Sequence, residues 1–134
     1  MPLQISTKNT VYADIDPNFN RNPKTGDLLT VKDSRSVKQS VMNLLSTNFG
    51  DRLFQPRLGT STRALLFEPV DAITAMELRD RVLNILVQSE PRISNIIVDV
   101  IAQPNSNEYT VNIEYSIVPL EQSDRATIVL QRNR

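Results

Sequence analysis

The chain has 134 residues, 40% of them hydrophobic, which suits one globular domain, residues 1–134, with room for an arm. It holds no cysteine and no histidine, so disulfides, thiolate metal sites, the commonest zinc ligand and the commonest general base are excluded together. Basic and acidic residues balance at 15 each, which argues against a general affinity for nucleic acid or anionic membrane.

Residues 1–27 carry little periodicity and several breakers, Asp16-Pro17, Asn22-Pro23 and Lys24-Thr25-Gly26-Asp27. An N-terminal arm or wrapped loop is expected there, anchored by Tyr12, Ile15 and Phe19, with an α+β body at residues 28–134. Met1-Pro2-Leu3-Gln4 lacks the basic and apolar regions of a signal peptide, and no apolar run approaches a membrane span, so a cytoplasmic site of synthesis is expected. Leu28 to Lys32 is a short strand entered from a Gly-containing turn, suited to a sheet edge. Asp33 or Ser34 can cap a first helix, with Val37, Val41, Leu44 and Leu45 on one stripe and Arg35, Lys38, Gln39 and Asn43 facing away. Gly50 to Gly59 forms an extended connector with Phe54 as its anchor. Ser61 to Glu68 allows a short helix with Leu65, Leu66 and Phe67 apolar, closed by Pro69.

Thr74-Ala75-Met76-Glu77 has the form of a capping box and opens the long helix, whose apolar stripe is Leu78, Val82, Ile85 and Leu86. Pro91 ends it and pushes Glu90 out of the helical region. Ile93 to Gln103 is rich in β-branched residues on both faces and is expected to be central and largely covered. After the turn Pro104-Asn105-Ser106-Asn107, Tyr109, Val111, Ile113, Tyr115 and Ile117 alternate strictly with polar residues, which predicts a half-buried strand. A loop from Pro119 to Asp124 leads to a third strand, Arg125 to Gln131. The fold class expected is α+β: two main amphipathic helices packed on one face of a small, mostly antiparallel sheet whose C-terminal strands form a hairpin plus a terminal strand.

A carboxylate at a helix C-terminus is opposed by the last carbonyls by about 0.3–1 kcal/mol at an exposed site, so Glu90 needs a partner. Two readings stand open: an ion pair with Arg92 on a solvated turn, or a pair pointing outward to be completed by another protein. The proline between them would stiffen the backbone against their folding together.

Catalysis has less support. Paired carboxylates are the one enzyme class left open, and Asp14, Asp16, Glu77, Glu108 and Glu114 sit in a loop, a cap or a wet strand face rather than as an acid/base pair. No phosphate loop, serine elbow or metal-ligand spacing appears, and Gly26 and Gly59 read as turn residues. The basic stretch from Arg21 to Arg63 faces an acidic one from Ala64 to Asp124, so the surface has unlike faces unless folding interleaves them. That basic stretch lacks the interleaved aromatics of a nucleic-acid surface. The last strand is a possible sheet edge with unpaired backbone groups, unless it pairs only within its own sheet.

Taken in order, Tyr12-Ala13-Asp14-Ile15-Asp16-Pro17, Asn22-Pro23-Lys24-Thr25-Gly26-Asp27-Leu28, the helix Val37 to Thr47, Gly50-Asp51-Arg52-Leu53-Phe54-Gln55-Pro56 with Gly59, Leu66-Phe67-Glu68-Pro69 and Glu90-Pro91-Arg92 resemble the GPW/gene-twenty-five-like family of phage baseplate wedge proteins. Related subunits serve type VI secretion systems and contractile bacteriocins. Asp51 departs from the family's glutamate but keeps its charge. The resemblance implies a structural subunit of the virion's tail baseplate, assembled in the host cytoplasm. No catalytic residue, cofactor or metal is implied, and neither nucleic acid nor membrane is a partner. Implied partners are other baseplate wedge proteins and the tail sheath protein, with the tail tube or hub as further candidates. Glu90, Pro91 and Arg92 would clasp the wedge core bundle, and Arg125, Thr127, Val129 and Gln131 would lie on the strand that templates the first sheath ring. The family has also carried a lysozyme label, which makes a peptidoglycan-degrading muramidase the alternative.

Overall fold

The computed structural model describes residues 11–47, 51, 53, 54, 56, 57, 62–118 and 120–131. Its elements are β1 (Ala13–Ile15), β2 (Thr30–Lys32), α1 (Ser34–Ser46), α2 (Thr62–Leu65), α3 (Ala72–Ser89), β3 (Ile93–Gln103), β4 (Glu108–Ile117) and β5 (Gln122–Gln131). The chain divides into two compact units, Met1–Ser36 and Val37–Arg134.

In the first unit β1 pairs antiparallel with β2, Asp14 opposite Val31. The expected arm or wrapped loop therefore holds a strand, β1, paired with β2, which lies within the strand expected at Leu28 to Lys32. Side chains that mimic backbone turns build its long loop: Asp16 accepts from the Asn18 N–H and the Asn20 side-chain amide, both at 3.0 Å, and Asn22 accepts from the Lys24 N–H at 2.9 Å. Gly26 adopts φ +72°, which a side chain would resist. Asp33, one of the two expected helix caps, binds the hairpin instead, accepting from the Val11 N–H at 2.9 Å and donating its own N–H to the Tyr12 carbonyl at 2.8 Å. Ile15 and Phe19 do not act as anchors; both are exposed, Phe19 at 68%.

In the second unit the residues of α1 that face inward, Val37, Val41, Leu44 and Leu45, are all buried, as the i, i+4, i+7, i+8 spacing requires. The sheet runs β3-β4-β5 and is antiparallel throughout. Strict alternation sends Tyr109, Val111, Ile113, Tyr115 and Ile117 of β4 inward, and all five are buried. β4 is the central strand and β3 an edge, contrary to the expectation for Ile93–Gln103. Apolar residues on both faces of β3 had suggested cover on both sides, but α3 packs against it while Ile97, 62% exposed, and Ile101 look outward. A register shift between Ser94 and Ile97, with Asn95 at φ 50°, bulges the start of β3.

α3 begins two residues before Thr74. Asp71 is its N-cap, accepting from the Thr74 N–H at 2.8 Å, and that bond holds the Asp71 carboxyl below its ordinary pKa. The expected capping box does not form; Glu77 pairs with Arg81 one turn on. Leu78, Val82 and Leu86 are fully buried, while Ile85 is half-buried. The Tyr109 hydroxyl donates to the Pro69 carbonyl at 3.1 Å, tying the approach to α3 to β4. Leu65 and Leu66 are buried but Phe67 is exposed, and Phe54 is 97% exposed rather than an anchor. Gly50, Arg52, Gln55, Gly59 and Ser61 lie outside the described residues. β5 starts at Gln122, inside the stretch expected as loop.

Replacing Ile113, which is fully buried on the central strand, by Ala is expected to cost about 2–5 kcal/mol. Ile97→Ala on the open face should change stability by no more than about 0.5 kcal/mol. Urea denaturation checks both, through the midpoint at constant slope.

Candidate functional site

The end of α3 is fixed by chemistry before any side chain is placed. Pro91 offers no N–H and cannot continue the helix, so Glu90 becomes the C-cap at φ −123°, ψ 86°, its own N–H still reaching the Leu86 carbonyl at 3.0 Å. The Arg92 carbonyl then accepts from the Val118 N–H at 2.9 Å, which stitches the break to the end of β4.

The Glu90 side chain turns inward and is 4% exposed. Its Oε1 accepts from Arg92 Nε at 2.7 Å, and its Oε2 from Arg92 Nη2 at 2.9 Å and from Ser40 Oγ of α1 at 2.6 Å. This is a two-pronged guanidinium–carboxylate fork with a hydroxyl on its flank. The proline does not hold the pair apart; it turns the chain so that residues 90 and 92 share one side. The expected ion pair forms, but with its carboxylate buried rather than on a solvated turn, and that carboxylate accepts from Arg92 and Ser40 of its own chain.

Burial alone would raise the Glu90 pKa; the Arg92 fork and the Ser40 hydroxyl outweigh it and hold the group below its ordinary value. Ser40 is the residue sequence reasoning missed. Its one signal was position: it lies three residues after Val37 and four before Leu44, a small hydroxyl inside an apolar stripe.

Tyr115 of β4 points into the same unit, and its hydroxyl is buried with no hydrogen-bond partner among the described residues. Burial first, then the negative charges of Asp124 and Glu90, push its pKa up to about 12.

The residues expected on the sheath-facing strand fall on one face of β5. Arg125 pairs with Glu114, Thr127 donates to the Asn112 side-chain carbonyl at 3.0 Å, Val129 lies opposite Thr110, and Gln131 opposite Glu108. All four are exposed, and among the described residues β5 is an edge with β4 as its neighbour. A groove of 560 Å³ also opens between the first turns of α3 and β3, with Asp71, Met76, Arg79, Asp99 and Ile101 on its walls.

The family described as baseplate wedge protein gp25 matches residues 31–119, two thirds of the chain. The chain belongs to this family. The match takes in Glu90, Pro91 and Arg92 and stops before β5. A relative is the baseplate wedge protein gp25 of Enterobacteria phage T4, 29% identical over 116 residues, spanning 87% of this chain and 86% of that one. Among solved structures, a putative tail lysozyme from Geobacter sulfurreducens shares the fold with a TM-score of 0.68 at 19% identity, covering 75% of this chain and 91% of that one. A chain of the type VI secretion baseplate complex gives 0.60 at 18% identity, covering 72% and 93%. One from the anti-feeding prophage baseplate gives 0.58 at 17%, covering 92% and 87%. The gp25-family match thus encloses the buried fork, and the hairpin β3–β4 with it.

The fork makes stability depend on pH. With the folded pKa of Glu90 depressed, its contribution is complete above the ordinary value of 4.5 and is lost as pH falls through the folded value. Glu90→Gln is expected to be less stable than the parent at pH 7, with the gap narrowing below pH 4.5; denaturant midpoints from pH 7 to pH 3 test this. Tyr115→Phe removes a hydroxyl that has no hydrogen-bond partner among the described residues and should raise stability by about 1 kcal/mol. Absorbance titration should find one fewer tyrosine ionising near pH 12 in that variant.

Proposed function

We propose that this chain is a structural, non-catalytic wedge subunit of a contractile tail baseplate, resident in the virion after assembly in the host cytoplasm. It clasps the helical core bundle of larger wedge subunits through Glu90, Pro91 and Arg92, and offers the β5 edge to the first ring of tail sheath protein. The tail tube or hub are further neighbours. The observation that carries this reading is the rigid Glu90–Arg92 fork at a proline-made break, inside the stretch that matches the wedge family. Support for the sheath contact is the position of β5 at the sheet edge, where backbone groups are available for strand addition.

The likeness in fold to a putative tail lysozyme raises a second reading, a muramidase. Its chemistry needs two free carboxyl groups in unlike surroundings. Several acids here are committed to other bonds: Glu77 to Arg81, Glu114 to Arg125, and Glu90 to Arg92 and Ser40.

The double variant Glu90→Gln/Arg92→Gln, which removes both charges together and so strands neither, is expected to abolish incorporation into wedges in a complementation assay while circular dichroism reports a folded chain. Proline at Ile128 or Val129 removes an inward-facing N–H at one position and an outward-facing N–H at the other, because neighbouring residues of a strand point their backbone groups to opposite sides. The outward variant should fold yet fail to stack sheath, seen as baseplates without sheath in electron micrographs. Purified protein should leave peptidoglycan uncleared; clearing stopped by one carboxylate-to-amide change would establish the muramidase instead.

A further inference from the structure

Four consecutive residues of β3, Asp99, Val100, Ile101 and Ala102, line the groove beside α3. Successive side chains of a strand point to opposite faces, so a groove touched by all four runs along the strand's backbone edge and not over one face. The far wall is one side of α3, Ala72, Ala75, Met76 and Arg79, at the i, i+3, i+4, i+7 spacing. Among the described residues no strand lies on that side of β3, so the outward N–H and C=O groups of its edge open into this trough. The bulge lies between Ser94 and Ile97, and pairing from Ile97 to Gln103 is regular, which leaves this half of the edge fit to take a further strand. Four residues of strand span roughly 13 Å, room for a short extended segment.

The side chains of the trough narrow the choice of occupant. Two alanines of α3 give it room, and Met76 and Ile101, both exposed, offer apolar contact. Arg79 donates to Asp80, which leaves Asp71 and Asp99 as the charges an incoming segment meets. The sequence ahead of the described residues has the matching character. Leu3 and Ile5 alternate with Gln4 and Ser6 as a strand requires, Lys8 follows, and Met1 to Thr10 holds no acid.

We propose that the trough between α3 and the β3 edge accepts Leu3 to Thr7 of a second copy of this chain as an added strand. Leu3 and Ile5 lie against Met76 and the alanines, and Lys8 meets the acids of the trough. Exchange of one element between identical chains is a low-cost route to a dimer, and reciprocal exchange covers both troughs. The proposal does not rest on the wedge reading, and it leaves the β5 edge free.

The test uses the full chain, which has no cysteine, so introduced thiols report contacts cleanly. A short bis-maleimide should join a chain carrying Ile5→Cys to a differently tagged chain carrying Ile101→Cys. It should join far less of the first chain to one carrying Asn43→Cys, an exposed position on α1. Each chain holds a single thiol, so the mixed product arises only between copies. Ala72→Trp fills the trough from an exposed position; it should remove that product and weaken self-association in sedimentation equilibrium by about tenfold or more. Leu3→Lys/Ile5→Lys should weaken it by about as much, since it drives two charges into an apolar contact. Circular dichroism should report both variants folded.

A parent chain that stays monomeric at every concentration overturns the proposal, as does a mixed product no more abundant than the Asn43→Cys control. Association that survives both Ala72→Trp and Leu3→Lys/Ile5→Lys places the interface elsewhere and overturns it too. Wedge incorporation is read separately, by the complementation assay, and stands or falls without regard to these results.

Discussion

A carboxylate buried at the C-terminal end of a helix faces two penalties, loss of hydration and the partial negative charge of the carbonyls beside it. Much of the architecture of the second unit can be traced to how Glu90 meets them. The fork to Arg92 needs the chain to reverse within two residues, which Pro91 enforces. The third acceptor site is filled from α1, fifty positions away, by Ser40. The peptide that follows is held by Val118 at the end of β4. One ion therefore ties α1, α3 and the β3–β4 end of the sheet to a common point. Removing Arg92 alone would leave the charge unmet, at a cost of about 3–5 kcal/mol. The intact pair adds less than that to net stability, because an apolar replacement of similar shape could pack as well. Its main effect is to fix one geometry.

The sheet makes the complementary arrangement. β4 is saturated on both sides, and its five inward residues form the middle of the core. Both outer strands are edges, and they are managed differently. β3 is bulged where Asn95 takes a left-handed conformation, which twists its first residues away from a regular ladder. β5 pairs with β4 without interruption from Gln122 to Gln131 and carries an exposed Arg125 as its main charge. A continuous, unbulged ladder is the better template for a further strand, and the charged pair of neighbours Asp124 and Arg125 at its start is a mild barrier to it.

The elements that rest on local pattern were legible from the residues: the α1 stripe, the strict alternation of β4, the stop at Pro91, and the α+β class. The errors arose where a tertiary neighbour decided. β3 is apolar on both faces, and periodicity cannot distinguish a covered face from one left open, so it was read as central. Thr74 to Glu77 satisfies the spacing of a capping box, but Asp71 stands three residues earlier and is the better acceptor, so the helix takes an earlier start. The hairpin of the first unit is written in Asx turns at Asp16 and Asn22, signals that read as breakers when no strand is in view. Glu90 was correctly seen to need a partner. What the sequence could not say is that the partner included Ser40, since nothing local connects residues 40 and 90.

The fork and the free edge are coupled through β4. Arg92 accepts a bond from Val118, the residue after the last of β4, and Ile117 faces Ile93 on one side and Gln122 on the other. The break thus sits at the end of β4 where β5 begins, one strand away from the edge. In the proposed reading, the contact for helices at the break and the contact for a strand at β5 would lie on one hydrogen-bonded ladder. In that reading a defined geometry between the two contacts matters more than tight binding at either end. A buried ion pair, weak as a source of stability and strict in its geometry, suits such a part better than an apolar contact of equal area, which tolerates rotation and slip.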